Sequence, residues 1–171
     1  MLGKTDNQLL QQTEEQVRAK VPADLQDKMD RIIAAGEKVM YDKDNGMLTK
    51  QLKKPGDPLQ NAGEGIAGLL AILFKESKGT MPMTAAIPAG QILLCEGLDF
   101  MEKAGMIKVD NDTLAEATKE MVSYTLQAFG VSKDKIAQFM AAGMAASDAT
   151  KGQAGQSPQA VPQAAQPAQP A

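Results

Sequence analysis

Few side chains in this sequence could do chemistry. The chain of 171 residues has no histidine and a single cysteine. Without histidine it lacks the side chain most used for proton transfer near neutral pH and the commonest metal ligand, so several enzyme classes are excluded at once. Three local patterns remain to be weighed. Gly63-Glu64-Gly65-Ile66-Ala67-Gly68 is a literal G-x-G-x-x-G. In a dinucleotide site that turn follows a strand and opens a helix whose first amides meet a pyrophosphate. Here the preceding ten residues, Lys53 to Ala62, include Pro55, Gly56 and Pro58 and form no strand-like run. These glycines are therefore expected inside a helix that has already begun at Pro58, as a packing surface.

The second pattern, Asp42-Lys43-Asp44-Asn45-Gly46, has the look of a calcium loop. With Gly46 at the sixth position, the first, third and twelfth fall on Tyr41, Lys43 and Leu52, which cannot supply the required oxygens. A turn is the better reading. The third is Cys95, set in Ile92-Leu93-Leu94-Cys95-Glu96-Gly97-Leu98. With no histidine to draw off its proton, it is expected to be a small buried hydrophobe rather than a nucleophile. Acidic residues such as Asp24, Asp27 and Asp30 alternate with Lys28 and Arg31 and read as a solvated face. Spacing flags no carboxylate pair in apolar surroundings as an acid and base. The expectation is no catalytic residue, no metal and no cofactor.

Charge narrows the choice of partners. There are 18 basic and 21 acidic residues, a net charge of −3, so no basic field attracts nucleic acid. One cysteine cannot form an internal disulfide, which fits a reducing compartment or a chain that needs no staple. The polar start MLGKTDNQLLQQTEEQ has no apolar core of a secretory leader, and the most apolar run, Ile66 to Phe74, is far short of the ~20 residues that cross a bilayer. The expected product is cytoplasmic.

Whatever function exists must be positioned by helices. Alanine, leucine and methionine are plentiful, and aromatic residues make up only 4% of the chain, a balance that favours helix over sheet. Six helices are predicted. The first spans roughly Thr5 to Lys20, with Thr5-x-x-Gln8 as a capping box and a thin stripe of Leu9, Leu10, Val17 and Val21. So polar a helix is expected to be a solvated arm or to dock on another chain. The second, Ala23 to about Tyr41, buries Leu25, Met29, Ile32, Gly36, Val39 and Met40. The third runs from Pro58, behind the cap Asp57, to about Lys75, and beside its apolar face Gly63, Ala67 and Ala71 recur every four residues. Such a ridge of small side chains lets another backbone approach closely.

The fourth helix is placed from Pro88, at a first helical position, to Ala104, with Gly90 and Gly97 at packing positions and Gly105 as its stop. It and the third helix are the most apolar and are expected to form a central antiparallel pair. The linker between them, Gly79 to Ile87, carries Met81 and Met83. These either fold over the core or form a contact patch, since flexible thioethers suit adaptable interfaces. The fifth helix runs from about Thr113 to Phe129, capped by Asp112 and closed by Gly130. The sixth runs from Ser132 to about Ala146, burying Ile136, Phe139, Met140 and Gly143.

The last twenty residues, Gly152 to Ala171, hold six Gln, six Ala and four Pro and no charge. They cannot bury enough apolar area to offset chain entropy and are expected to be disordered. The predicted organisation is a polar helix or arm over 1–21, an all-α bundle of five to six helices over 22–150 around a Gly-rich central pair, and a tail over 151–171.

Several landmarks along this chain carry a likeness. Gly36-Glu37-Lys38-Val39-Met40-Tyr41-Asp42, then Pro55-Gly56-Asp57-Pro58 and the Gly-rich helix, then Lys75-Glu76-Ser77-Lys78-Gly79-Thr80-Met81-Pro82 and Ile87-Pro88-Ala89-Gly90, resemble small helical proteins encoded among the virion genes of tailed bacteriophages. The resemblance spans about Lys28 to Ala146. It implies a non-enzymatic, virion-associated role in the head, portal or tail module, in many copies, with assembly in the host cytoplasm. Its partners would be copies of itself or other virion proteins. It brings no active-site residues. Two other roles fit the same residues: an assembly scaffold or chaperone lost on maturation, and a membrane-active genome-delivery protein. Glu64, Lys75, Glu76 and Glu96 weigh against stable membrane insertion.

Overall fold

Side chains that accept from otherwise unpaired backbone amides set where three of the helices begin. In the computed structural model, which describes residues 5–42, 46, 50, 54–138 and 141, α1 spans Gln8–Lys20. Asn7 caps it, accepting from the amides of Leu9 and Leu10. The expected Thr5–Gln8 box does not form: Thr5 is buried and donates its hydroxyl to Glu14 instead, 3.1 Å away. Asp57 caps the helix Pro58–Glu76 as expected, accepting from Leu59 and Gln60. The cap of Asn111–Ala128 is Asp110, which accepts from Thr113 at 2.9 Å, rather than Asp112. That bond and a second from the Thr113 hydroxyl hold the Asp110 carboxyl below its usual range.

We label Ala23–Met40 α2, Pro58–Glu76 α3, Met83–Lys103 α4 and Asn111–Ala128 α5. Residues 133–138 are also helical, and Ile136 is buried. The described residues contain no strand, so the protein is an all-α helical bundle. The unit up to Ile136 holds this core; beyond it only 137, 138 and 141 are described, all helical and exposed. The predicted turn at 43–45, the burial of Phe139, Met140 and Gly143, and the tail over 151–171 lie outside the described residues.

The largest departure is the start of α4. Pro82, not Ile87, stands at its N-cap, and Pro88 sits inside the helix. Proline's missing N–H forfeits one bond, to the carbonyl of Thr84, an exposed residue in the first turn. In return the longer helix buries Ala85, Ala86 and Ala89 completely. α4 is the hub of the bundle: α1 and α2 lie against it, and so do α3 and α5. Its fully buried Ile92, Leu93, Leu94, Leu98 and Met101 fill the core. Leu93 occupies the space over Gly36 of α2, where an added Cβ would come within 2.5 Å of its Cδ1.

The closest helix pairing, however, is α3 with α5, not the expected α3 with α4. A Cβ added at Gly63 would lie 2.8 Å from the backbone nitrogen of Met121. Contacts advance in the same direction along both helices, from Gly63 against Glu120 and Met121 to the Phe74 and Phe129 rings, whose centroids are 4.5 Å apart. The two therefore run side by side in parallel. α1, too, departs from expectation. Leu10 is fully buried, and α1 packs along α4 within this unit rather than projecting as an arm.

Candidate functional site

The residues singled out by spacing fall into different surroundings. Gly63 and Ala67 are buried, and Gly63 lies in the α3–α5 seam, with Ala71 half-buried further along the same ridge. Gly90 and Gly97 are buried on α4, but what closes on Gly90 is the side chains of Leu70 and Met121, not a facing glycine. The G-x-G-x-x-G residues lie wholly within α3, where their amides belong to the helix rather than to a phosphate-binding turn. Met81 is 8% exposed and joins the core, and Met83 is the half-buried first residue of α4. The linker methionines therefore do not form an exposed contact patch, because α4 begins early enough to draw them in.

What α3 and α5 do expose is an open depression lined by Lys54, Glu64, Gly65, Gly68, Tyr124 and Ala128. Gly65 and Gly68 share one line along α3 with Ile72, whose side chain remains 43% exposed. Polar groups frame its upper edge: Lys54 pairs with Glu64 at 3.0 Å, and Gln60 donates to the Tyr124 hydroxyl at 2.9 Å. This is a shallow apolar strip with a polar rim. Among the described residues, Phe100 and Met106 are the other large apolar side chains left exposed, at 41% and 43%.

A second constellation was not legible from spacing. Glu14 of α1, Glu37 of α2 and Glu96 of α4 converge where the three helices meet, with Arg18 the nearby cation. Spacing could not flag this pair, because Glu37 and Glu96 stand on separate helices and face each other only once α2 packs on α4. Glu96 Oε2 is buried without a hydrogen-bond partner. Burial, then the facing Glu37 and Glu14, push the Glu96 carboxyl up to about 8. Burial also raises Glu14. Tyr41, at the end of α2, is pushed up to about 12 by burial and by Glu96 and Glu37.

Beside this cluster the N-terminal end of α1 is held by polar bonds. The amide of Asp6 donates to Asp99 at 3.0 Å, and Asn7 donates its side-chain amide to Glu102 at 2.7 Å. Glu102 also accepts from the amide of Val109 at 2.8 Å, joining α1 to the approach to α5. Lys103 bridges Asp6 and Asp99 at 2.8 and 2.7 Å, and its hydrogen bonds to them, Asp6 first, raise its ammonium.

Cys95 is fully buried, and burial, with Glu14 nearby, pushes its thiol up to about 12, so it carries no thiolate near neutral pH. Among the described residues no three acidic or thiol side chains are placed to hold a metal ion, and no helix is long and apolar enough to cross a membrane. The chain matches no known protein family, no curated protein and no solved structure.

Proposed function

We propose that the protein is a non-enzymatic component of a tailed-bacteriophage particle, acting by association with copies of itself or with neighbouring virion proteins in the head, portal or tail module. The observation that carries this reading is the outward strip of Gly65, Gly68 and Ile72 on α3, continued by Ala128 of α5 and framed by Lys54, Glu64 and Tyr124. An apolar centre with a polar rim is the make-up of a protein interface. Small residues at the centre let a partner helix approach closely. The resemblance of the sequence landmarks to virion proteins of tailed bacteriophages supplies the setting.

Two measurements test it. In sedimentation velocity of the full chain, Ile72→Asp should abolish self-association while leaving the helical spectrum unchanged; an unaltered sedimentation profile would remove the strip from the interface. In mass spectrometry of purified particles, the chain should be found in mature virions. Presence in precursor heads with loss on maturation would replace this reading with that of an assembly scaffold.

A further inference from the structure

We propose that the meeting point of α1, α2 and α4 is a proton-operated latch: a proton on the buried Glu96 carboxyl, which faces Glu37, fastens α1 and the end of α2 to the hub helix, and its loss loosens them. Two facing carboxyls can satisfy each other only while one of them carries a proton, because ionised carboxylates are acceptors alone. Glu96 Oε2 is buried from solvent and no donor reaches it. The groups that face Glu96 are Glu14 and Arg18 from α1, Glu37 and Tyr41 from α2, and Cys95 on its own helix. Arg18 offsets part of this negative charge, though it also pairs with the exposed Asp30 at 2.7 Å, and Lys103, whose charge reaches Tyr41, is already bound to Asp6 and Asp99. A second ionised carboxylate would therefore add repulsion among Glu14, Glu37 and Glu96.

The element that would respond is also evident. α1 buries only Leu10 completely and depends on polar contacts at its N-terminal end, whereas α3 and α4 are held by rows of buried apolar side chains. Local opening starts where few apolar contacts hold an element.

The direction of the pH effect follows by linkage. The Glu96 carboxyl rises from 4.5 to about 8 on folding, so the folded chain keeps a proton that the unfolded chain releases. The stabilisation is complete below pH 4.5, is lost as pH rises to about 8, and changes no further above that. The chain has no histidine, the side chain that ordinarily titrates between pH 5.5 and 8, so none contributes to the slope in this window.

The test is thermal melting of the full chain across pH 5.5 to 8, compared with Glu96→Gln, whose amide keeps the shape and cannot ionise. The wild-type Tm should fall by about 5 °C over this range, while that of the variant stays flat. A flat wild-type profile, or an equal slope in Glu96→Gln, would overturn the proposal. Should Glu96→Gln fail to fold, Glu37→Gln provides the second arm: removing the facing charge should shrink the wild-type slope, and an unchanged slope would overturn the latch.

Discussion

The α3–α5 seam and the α1–α2–α4 junction fasten the same bundle by opposite means. In the seam a glycine brings one helix against the backbone of another, and leucine, isoleucine and methionine side chains fill the space around it. At the junction, carboxylates, amides and a lysine are brought together on helices far apart in sequence, and one carboxyl oxygen is buried unpaired. Close apolar packing is insensitive to pH and intolerant of added volume. A polar seat tolerates volume better but depends on which groups are charged. One fold can therefore keep a rigid half beside a half that answers to its surroundings.

The largest expected effect lies in the seam. Gly63→Leu places a branched side chain where even a Cβ would come within 2.8 Å of the Met121 nitrogen, and should destabilise the protein by about 3 kcal/mol in chemical denaturation. Ala67→Leu, which adds volume at another buried position of the same ridge, should cost about 2 kcal/mol. Stability unchanged by either would mean that the seam can part without cost, and the contrast with the junction would fail.

A smaller effect is expected at the junction. Asn7→Ala removes the α1 cap and the bond to Glu102, and should cost about 1 kcal/mol, read most clearly as faster hydrogen exchange within α1. If exchange quickened equally in α3, the two regions would be one cooperative unit. The smallest effect on stability, within about 0.5 kcal/mol, is expected for Ile72→Asp, because that side chain is already exposed; its consequence should fall on association alone.

The unequal legibility of the two regions in the sequence has a physical cause. The seam announced itself through the four-residue spacing of Gly63, Ala67 and Ala71, because helical periodicity places such residues on one line. Its partner is less legible. Overall apolarity favoured α4, yet what meets Gly63 is backbone beside Glu120, and backbone proximity leaves no mark on the partner's side-chain pattern. The start of α4 was obscured by two prolines, Pro82 and Pro88, either of which can open a helix; the burial of Ala85, Ala86 and Ala89 decides for the earlier one. At the junction, Glu14, Glu37 and Glu96 each stand on a different helix, and within its own helix each reads as an ordinary surface charge. Only the packing of α1 and α2 on α4 brings them together, so no local pattern could reveal them. The acidic run Asp24, Asp27 and Asp30, by contrast, is exposed as its spacing suggests.

The most direct measurement of the contrast is hydrogen–deuterium exchange of the full chain at pH 5.5 and pH 8, corrected for intrinsic rates and followed peptide by peptide. Peptides from α1 should lose protection at the higher pH, while those from α3 and α5 keep theirs. Equal protection of α1 at both pH values, or a parallel loss across α3 and α5, would contradict a division between a pH-insensitive seam and a proton-dependent junction.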